Sequence, residues 1–399
     1  MTTRGHPEIV SWNITSGCNL RCAHCYLDAG ATGKGELSTK QCYEVIDQLA
    51  ALGTEMVILT GGEPLLRSDI LAIVWRARER GIMPVMGSNG TLMGDSVVGA
   101  LKEAGLQGIA ISLDSLHPEK HESFRGVKGC WRAAVSGIDA CLRQGVPAII
   151  QTTLTPWNYQ EIPALIDFAR GQGATAFNLY YLVCTGRGQD MVDISPQQYE
   201  ESLASLADAQ AIYPSIMVRA KCAPQMARIA RERGLPLAGG GCPAGVSYLR
   251  IDPQGQVTPC PYLPLVAGNV RDTPLADIWE GATIFQRLRS PSLGGRCGSC
   301  NYRETCTGCR ARAFALSGDY LGEDPWCLYH PGTLPPASPA QVTWTPDAQT
   351  RLQRVPAFVR TRVKTAIEGY ARDRGHSVIT ADLMAEVRAF MTGGMNRSH

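Results

Sequence analysis

The sequence predicts an α/β fold built on a parallel sheet, either an open doubly wound sheet or a β/α barrel, followed by a cysteine-rich region and a small helical tail. Three observations carry this. Between residue 8 and about 212, six short β-branched runs alternate with amphipathic segments of helical spacing. Periodicity then fades, and eight cysteines gather within residues 213–330. A Pro-rich stretch at 331–341 reads as a linker, and a cysteine-free segment at 342–395 follows it.

The candidate strands are EIVSWNIT (8–15), EMVILTGG (55–62), MPVMGSNG (83–90), GIAISLDS (108–115), PAIIQTTLT (147–155) and TAFNLYYLV (175–183). Between them, Thr39 to Leu52, Asp69 to Arg80 and Ile162 to Gln172 place apolar residues at i, i+3 and i+4. Strand and helix in alternation imply parallel strands joined by right-handed crossovers. In such folds ligands bind at the C-terminal strand ends. Those ends read Cys18 to Cys25, GGEP at 61–64, SNGT at 88–91, SLD at 112–114, TTLT at 152–155 and CTGRG at 184–188. In the tail, Leu352, Val355, Phe358, Val359, Val363, Ala366, Ile367 and Tyr370 form an apolar stripe, and a shorter helix is expected after Thr380.

Composition narrows the class. At 399 residues, 44% hydrophobic, 19% charged and a formal charge of +2, the chain reads as a soluble globular protein without the basicity of a nucleic-acid binder. No run of 18 apolar residues could cross a bilayer, and MTTRGHPEIV lacks the pattern of a signal peptide, so a cytoplasmic location is expected. In that reducing compartment, 15 cysteines in clusters point to metal or iron–sulfur ligation and away from disulfides. Cys42, Cys130, Cys141 and Cys184 stand apart and read as small buried residues.

Cys18, Cys22 and Cys25 form C-x3-C-x2-C, three thiols where a structural zinc or an ordinary cubane takes four ligands. A [4Fe–4S] cluster held by three leaves one iron open for chemistry. With Tyr26 after the last cysteine and GGEP after the second strand, residues 8–212 resemble the radical S-adenosylmethionine (SAM) enzymes. The resemblance implies a partial (β/α)6 TIM-type barrel. It also implies that the open iron chelates SAM, whose reductive cleavage gives a 5′-deoxyadenosyl radical. By the same resemblance Gly61, Gly62 and Glu63 form the segment that receives the SAM amino group, and Ser88 and Asn89 lie near the ribose and methionine. Ser112 and Asp114 match the fourth strand, Arg125 meets the SAM carboxylate, and Arg187 in GRG lies near the adenine edge. His24 is not expected to be a ligand.

The later cysteines include Cys297-x2-Cys300-x5-Cys306-x2-Cys309, with Cys222, Cys242 and Cys260 before them and Cys327 after. Zinc suits C-x2-C pairs, but eight cysteines make two four-ligand sets. The arrangement resembles the SPASM extension of radical SAM enzymes, which carries auxiliary [4Fe–4S] clusters. That implies one set of Cys222, Cys242, Cys260 and Cys309 and another of Cys297, Cys300, Cys306 and Cys327, with one or two auxiliary clusters.

Two further resemblances concern the substrate. TPCPYLPLVAGNVRDTPLADIW and CRARAFALSGDYLGEDPWC resemble the radical SAM enzymes of siroheme-dependent haem synthesis and of haem d1 synthesis. The tail RVPAFVRTRVKTAIEGYARDRGHSVIT resembles a small C-terminal domain found in dark-operative protochlorophyllide reductase, which also handles a tetrapyrrole. Together they imply an iron-tetrapyrrole substrate that loses acetate or propionate side chains or is decarboxylated, and an electron donor such as a flavodoxin or ferredoxin. A SPASM-type peptide or protein maturase is the competing enzyme reading, and a cluster-stabilised binding module without catalysis a third. From residue 341 onward the tail has nine Lys or Arg against five Asp or Glu, and Arg351, Arg354, Arg360 and Arg362 read as a solvated helix face, with carboxylate binding as the alternative.

Overall fold

The computed structural model describes residues 5–392 except 32, 234, 236–239, 333–341, 354, 356–359, 361–362, 365–366, 369 and 372–375. Six strands, β1 (Ile9–Asn13), β2 (Met56–Thr60), β3 (Met83–Ser88), β4 (Ile109–Ser112), β5 (Ala148–Leu154) and β6 (Ala176–Tyr181), fall on the six runs of the sequence. Each pairs in parallel with the next. The crossovers carry α1 (Thr39–Ala51), α2 (Ile70–Glu79), α3 (Asp95–Glu103), α4 (Pro118–Arg125), α5 (Cys130–Arg143) and α6 (Ile162–Gln172). At the start of α1, Ser38 and Gln41 form a reciprocal capping box that satisfies two otherwise orphaned N–H groups.

The sheet is larger than six strands. After α7 (Pro196–Ile212), β7 (Met217–Lys221) adds in parallel to β6. On the opposite edge β8 (Tyr248–Ile251) pairs in parallel with β1, and β9 (Gln256–Thr258) and β10 (Gly268–Asn269) continue antiparallel, giving the order β10-β9-β8-β1-β2-β3-β4-β5-β6-β7. The cysteine-rich region thus supplies strands to both flanks of the six-stranded core. MVRAK and YLRI alternate polar with apolar residues, so neither reads as the continuous apolar run of a fully buried parallel strand.

The two faces of the sheet differ. Val10, Trp12, Val57, Leu59, Met86, Ile109, Ile111 and Ile150 are almost fully buried and pack in one core with Val45, Ile46, Ile73 and Ile138 of the helices. The alternate residues, Ser11, Asn13, Thr60, Ser112, Gln151, Asn178 and Tyr180, lie on the opposite, concave face. In a parallel α/β barrel ligand binds at the C-terminal strand ends, and here the face turned away from the helical layer is polar as well.

The C-terminal segment has its own core of Ala348, Leu352, Ile367, Tyr370, Ala371, Ile379, Leu383, Met384 and Val387. Its described residues include the helix Pro346–Gln353 and the strands β11 (Thr343–Trp344) and β12 (Val378–Ile379), which form a two-stranded parallel pair. The helix Ala381–Thr392 lies where the sequence places one. Phe358, Val359, Ala366, Arg354 and Arg362 lie outside the described residues, as do 333–341 of the linker. Arg351 and Arg360 donate to backbone carbonyls, of Ala381 and of Val355 and Gln353 respectively, so neither is a purely solvated charge. The Gln353 carbonyl, at the C-terminal end of the helix Pro346–Gln353, has no partner within the helix and so draws a guanidinium donor.

Candidate functional site

The loop carrying the first three cysteines crosses the C-terminal edge of β1. It is closed on itself by a bridge between Gly17 and Gly30, with Cys18 N donating to Gly30 O at 2.7 Å. Arg21 N and Ala23 N donate to the carbonyls of Arg125 and Phe124, which zips the loop to the last turn of α4. Glu36 Oε1 accepts from Ser16 N (2.8 Å) and Ser16 Oγ (2.7 Å) at the other end. Each sulfur has an N–H donor: Leu20 N to Cys18 at 3.4 Å, Arg125 Nη1 to Cys22 at 3.7 Å and Ala29 N to Cys25 at 3.3 Å. Burial pushes the Cys18 and Cys22 thiols up, and these donors favour the thiolate form that a metal requires.

GGEP abuts this loop. Glu63 N donates to Gly17 O and Gly62 N to Thr15 O. A Cβ on Gly62 would collide with the Gly17 carbonyl, so only glycine lets the two backbones touch. The Glu63 carboxylate is fully buried and accepts from Ser88 Oγ (2.9 Å), Asn89 N (2.9 Å) and Leu65 N (3.2 Å), which pins the ends of β2 and β3 together. Asn89 Nδ2 donates to Asn19 Oδ1 at 2.8 Å. Burial raises the Glu63 carboxyl to about 7, against the three hydrogen bonds. A carboxyl raised on folding binds protons more tightly in the native state, so its contribution is intact below about 4.5 and is lost as pH rises through 7. Glu63→Gln is therefore expected to remove roughly 3 kcal/mol of the stability change across that window, read as urea midpoints of the cluster-free chain at several pH values.

Arg125 and Arg187 both bind the cysteine loop. Arg125 Nε donates to Asp114 Oδ2 at 2.7 Å, both groups being buried, and Nη1 faces Cys22. Burial pushes the Asp114 carboxyl up, but the Arg125 charge and hydrogen bond together with the His121 and His24 imidazoles outweigh it and hold the carboxyl below its ordinary value. Asp114 Oδ1 accepts from Thr153 N at 2.9 Å, tying β4 to β5. Burial lowers His121 to about 4, and its Nδ1 accepts from Asp114 N, so it is a neutral neighbour of Asp114. Burial also lowers His24 to about 3, and its ring stacks on Phe124 at 4.2 Å. Arg187 binds Asp28 Oδ1, Cys22 O and Ala29 O, because the sharply turned cysteine loop leaves carbonyls that need donors. Gly186, at φ 59°, allows this approach: a Cβ there would stand 2.6 Å from Tyr26 O. Tyr26 OH accepts from Asn13 Nδ2 at 2.8 Å, and Arg250 Nε donates to Asn13 Oδ1 at 2.5 Å. Ser112 is half-buried on the concave face, in register with Gln151.

The eight later thiols fall into two groups. Cys222, Cys242, Cys260 and Cys309 lie within electrostatic range of one another, and Cys309 packs with Cys222 and Cys260. Cys306 senses Cys297 and Cys327, Cys300 senses Cys297, and Cys300, Cys306 and Cys327 pack with Tyr302 and Tyr329. Among the described residues no three or more His, Cys, Asp or Glu side chains converge on a single-ion site. A cubane gives each thiolate a different iron and so spaces the sulfurs wider than one zinc does. Three described non-glycine residues have left-handed φ, Asp28 (52°), Cys222 (61°) and Thr307 (59°), and all three lie in these cysteine loops. Donor chemistry, grouping and strain fit three iron–sulfur sites.

One network that spacing does not reveal joins the two later groups. Asp324 Oδ2 accepts from Cys309 N (2.7 Å), Gln225 Nε2 (2.7 Å) and Arg312 Nη1 (3.2 Å), while Asp324 N donates to Cys297 Sγ at 3.5 Å. Arg312 Nη2 donates to Cys222 O, and its guanidinium lies 5.0 Å from the Tyr199 ring. Both charges are buried. Asp324→Ala leaves Arg312 uncompensated at a cost of about 3–5 kcal/mol. It is expected to strip iron from both later groups while the first site keeps its own, checked by iron analysis and Mössbauer spectroscopy.

Comparison with known proteins agrees with this geometry. The radical SAM superfamily profile matches residues 12–169, an iron–sulfur cluster-binding SPASM domain matches 242–310, and the proto-chlorophyllide reductase 57 kD subunit matches 344–388. The AdoMet-dependent heme synthase of Methanosarcina barkeri is 38% identical over 341 residues, 82% of this chain and 97% of that protein. The pre-heme d1 synthase of Dinoroseobacter shibae is 32% identical over 89% of this chain and 95% of its own length. Among solved structures, SuiB of Streptococcus suis bound to S-adenosylmethionine superposes with a TM-score of 0.69 at 19% identity, covering 82% of this chain and 78% of that one. With a three-thiol loop at the mouth of a parallel α/β sheet and relatives matched over nearly their whole length, the chain belongs to the radical SAM superfamily and is a SPASM-bearing enzyme of it.

Proposed function

We propose that this enzyme removes or shortens carboxylate side chains of an iron-tetrapyrrole, with acetate removal from a didecarboxysiroheme-like substrate preferred over propionate removal or decarboxylation to vinyl. The observation that carries the iron-tetrapyrrole class is the match to a heme synthase over 97% of that protein's length. The match of residues 344–388 to part of a protochlorophyllide reductase supports the same substrate class independently.

Cys18, Cys22 and Cys25 would hold a [4Fe–4S] cluster, and the two later groups of four would hold the auxiliary ones. When bound, SAM would supply 5′-deoxyadenosyl radical chemistry, with the electron coming from a donor such as a flavodoxin or ferredoxin. The chain's own part is orientation and exclusion of water. Gly61 to Glu63 and Ser88 to Asn89 shape the SAM bed, and the concave sheet face holds the macrocycle. Arg125 and Arg187 keep the cysteine loop in place. Residues 8–212 form the core unit, 213–330 the auxiliary unit, 331–341 the linker and 342–395 the tail domain. Among the described residues no helix is long and apolar enough to cross a membrane, and we place the enzyme in the cytoplasm.

The test is anaerobic. Reconstituted, reduced protein with SAM and iron-tetrapyrroles should form 5′-deoxyadenosine in step with a macrocycle that loses acetate-sized or carboxylate-sized mass. Deoxyadenosine without any change in the macrocycle would overturn the substrate and direct the search to peptides.

A further inference from the structure

A buried guanidinium is costly unless a carboxylate or several carbonyls meet it, and among the described residues Arg125, Arg228, Arg250, Arg310 and Arg312 are buried. Four of them are provided for. Arg125 pairs with Asp114, Arg228 with Glu200 and Glu232, and Arg312 with Asp324. Arg310 donates to the carbonyls of Gly308, Tyr320 and Gly322 and to Cys297 Sγ. Arg250 is the exception. Among the described residues no carboxylate lies within ion-pair distance of it and no cysteine sulfur accepts from it; its one hydrogen bond runs from Nε to the neutral carboxamide of Asn13.

The sheet register places this charge. Arg250 on β8 stands opposite Ser11 on β1, and parallel partners point to the same face, so Arg250 shares the concave face with Ser11 and Asn13. Asn13 is fully buried and held at its other end too, donating from Nδ2 to Tyr26 OH at 2.8 Å. With Nε bound to Asn13, the plane of the guanidinium is set. Its two Nη groups have no partner among the described residues, yet neither is sealed from accessible space, which on this face is the lumen. A guanidinium keeps its charge throughout the working pH range, and its free end is the fork that a carboxylate fits with two parallel hydrogen bonds.

We infer that Arg250, aimed by Asn13, is the subsite that binds a carboxylate of the substrate at the β1–β8 wall of the lumen and so fixes the rotation of the macrocycle. This rests on the tetrapyrrole reading above and names the wall that orients the substrate. SAM carries a carboxylate as well, but Gly61 to Glu63 and Ser88 to Asn89 follow β2 and β3, whereas β8 lies on the other side of β1. An arginine kept buried without a partner costs stability until a ligand supplies the anion. Arg250→Met is therefore expected to leave the urea midpoint of the cluster-loaded chain unchanged or raised, the reverse of what removing a paired arginine does.

The experiment is an absorbance titration of cluster-loaded enzyme with an iron porphyrin bearing four propionates and, separately, with its tetramethyl ester, alongside equilibrium dialysis with SAM. Wild type is expected to bind the acid at least about tenfold more tightly than the ester, the scale of one charge-assisted hydrogen bond. Arg250→Met should lose that preference while SAM affinity and iron content stay as in wild type. Asn13→Asp, which sets a carboxylate against Nε and neutralises the anchor from within, should weaken binding of the acid and spare the ester. If both variants keep the wild-type preference, the subsite is wrong while the tetrapyrrole reading stands. If Arg250→Met loses SAM and keeps the preference for the acid, the carboxylate is that of SAM and the assignment to the substrate is overturned. If wild type binds neither porphyrin, the tetrapyrrole reading fails and the subsite falls with it.

Discussion

Gly62→Ala is expected to slow SAM cleavage about 100-fold while leaving most of the fold intact. The new methyl would occupy the space of the Gly17 carbonyl, and Gly17 is held by hydrogen bonds on both sides, through Glu63 N and the bridge to Gly30. Backbone against backbone has no rotamer to yield, so the cysteine loop must move. Over-packing of this kind costs about 1–3 kcal/mol. The larger effect is positional, because a shift of about 1 Å at a reacting centre lowers rates about 100-fold. Deoxyadenosine formation and SAM binding on reconstituted protein check this. Wild-type rates with the alanine in place would show that GGEP does not bear on the cysteine loop.

Asp114→Asn is expected to destabilise residues 8–212 strongly. It leaves the Arg125 guanidinium buried beside Cys22 without its counter-charge, at a cost of about 3–5 kcal/mol. The Asn keeps the size of the side chain, so the loss is electrostatic. The double variant Asp114→Leu with Arg125→Met should recover most of the stability, since apolar replacement of a buried pair is often neutral. It should still shift the reduction potential of the first cluster, because Cys22 has lost the donor on its sulfur. Chemical denaturation and EPR-monitored redox titration separate the two effects. Equal stability of the single and double variants would mean that the ion pair is not what holds this corner.

The legible parts of this protein are those where chemistry or periodicity is local in the chain. Three thiols in eight positions announce an open metal site, and β1 to β6 lie on six apolar runs. β7 and β8 escape the same reading because each alternates: Arg219 and Lys221, like Tyr248 and Arg250, turn to the lumen, and the apolar half of each strand is too short to stand out. Arg125 and Arg187 are singled out only by family resemblance, which says nothing of their partners within the chain. Those partners, Asp114, Asp28 and the loop carbonyls, are set by folding. Asp324 and Arg312 carried no signal at all, since Asp324 resembles any loop carboxylate until the fold sets it against Cys309 N and Cys297. The partition of the eight later cysteines came from family likeness; in the folded chain Cys309 packs with Cys222 and Cys260, and Cys300, Cys306 and Cys327 pack with Tyr302 and Tyr329.

The most direct test of the whole account is the fate of one hydrogen. The enzyme, reduced and supplied with SAM, is given an iron-tetrapyrrole deuterated on its carboxylate-bearing side chains, and the 5′-deoxyadenosine is weighed. Deuterium in the deoxyadenosine, in proportion to side chains lost from the macrocycle, is the result expected of a radical SAM enzyme acting on this substrate class. Deoxyadenosine free of deuterium while the side chain is lost would contradict it, and no deoxyadenosine from a fully loaded first cluster would contradict the reading of Cys18, Cys22 and Cys25 itself.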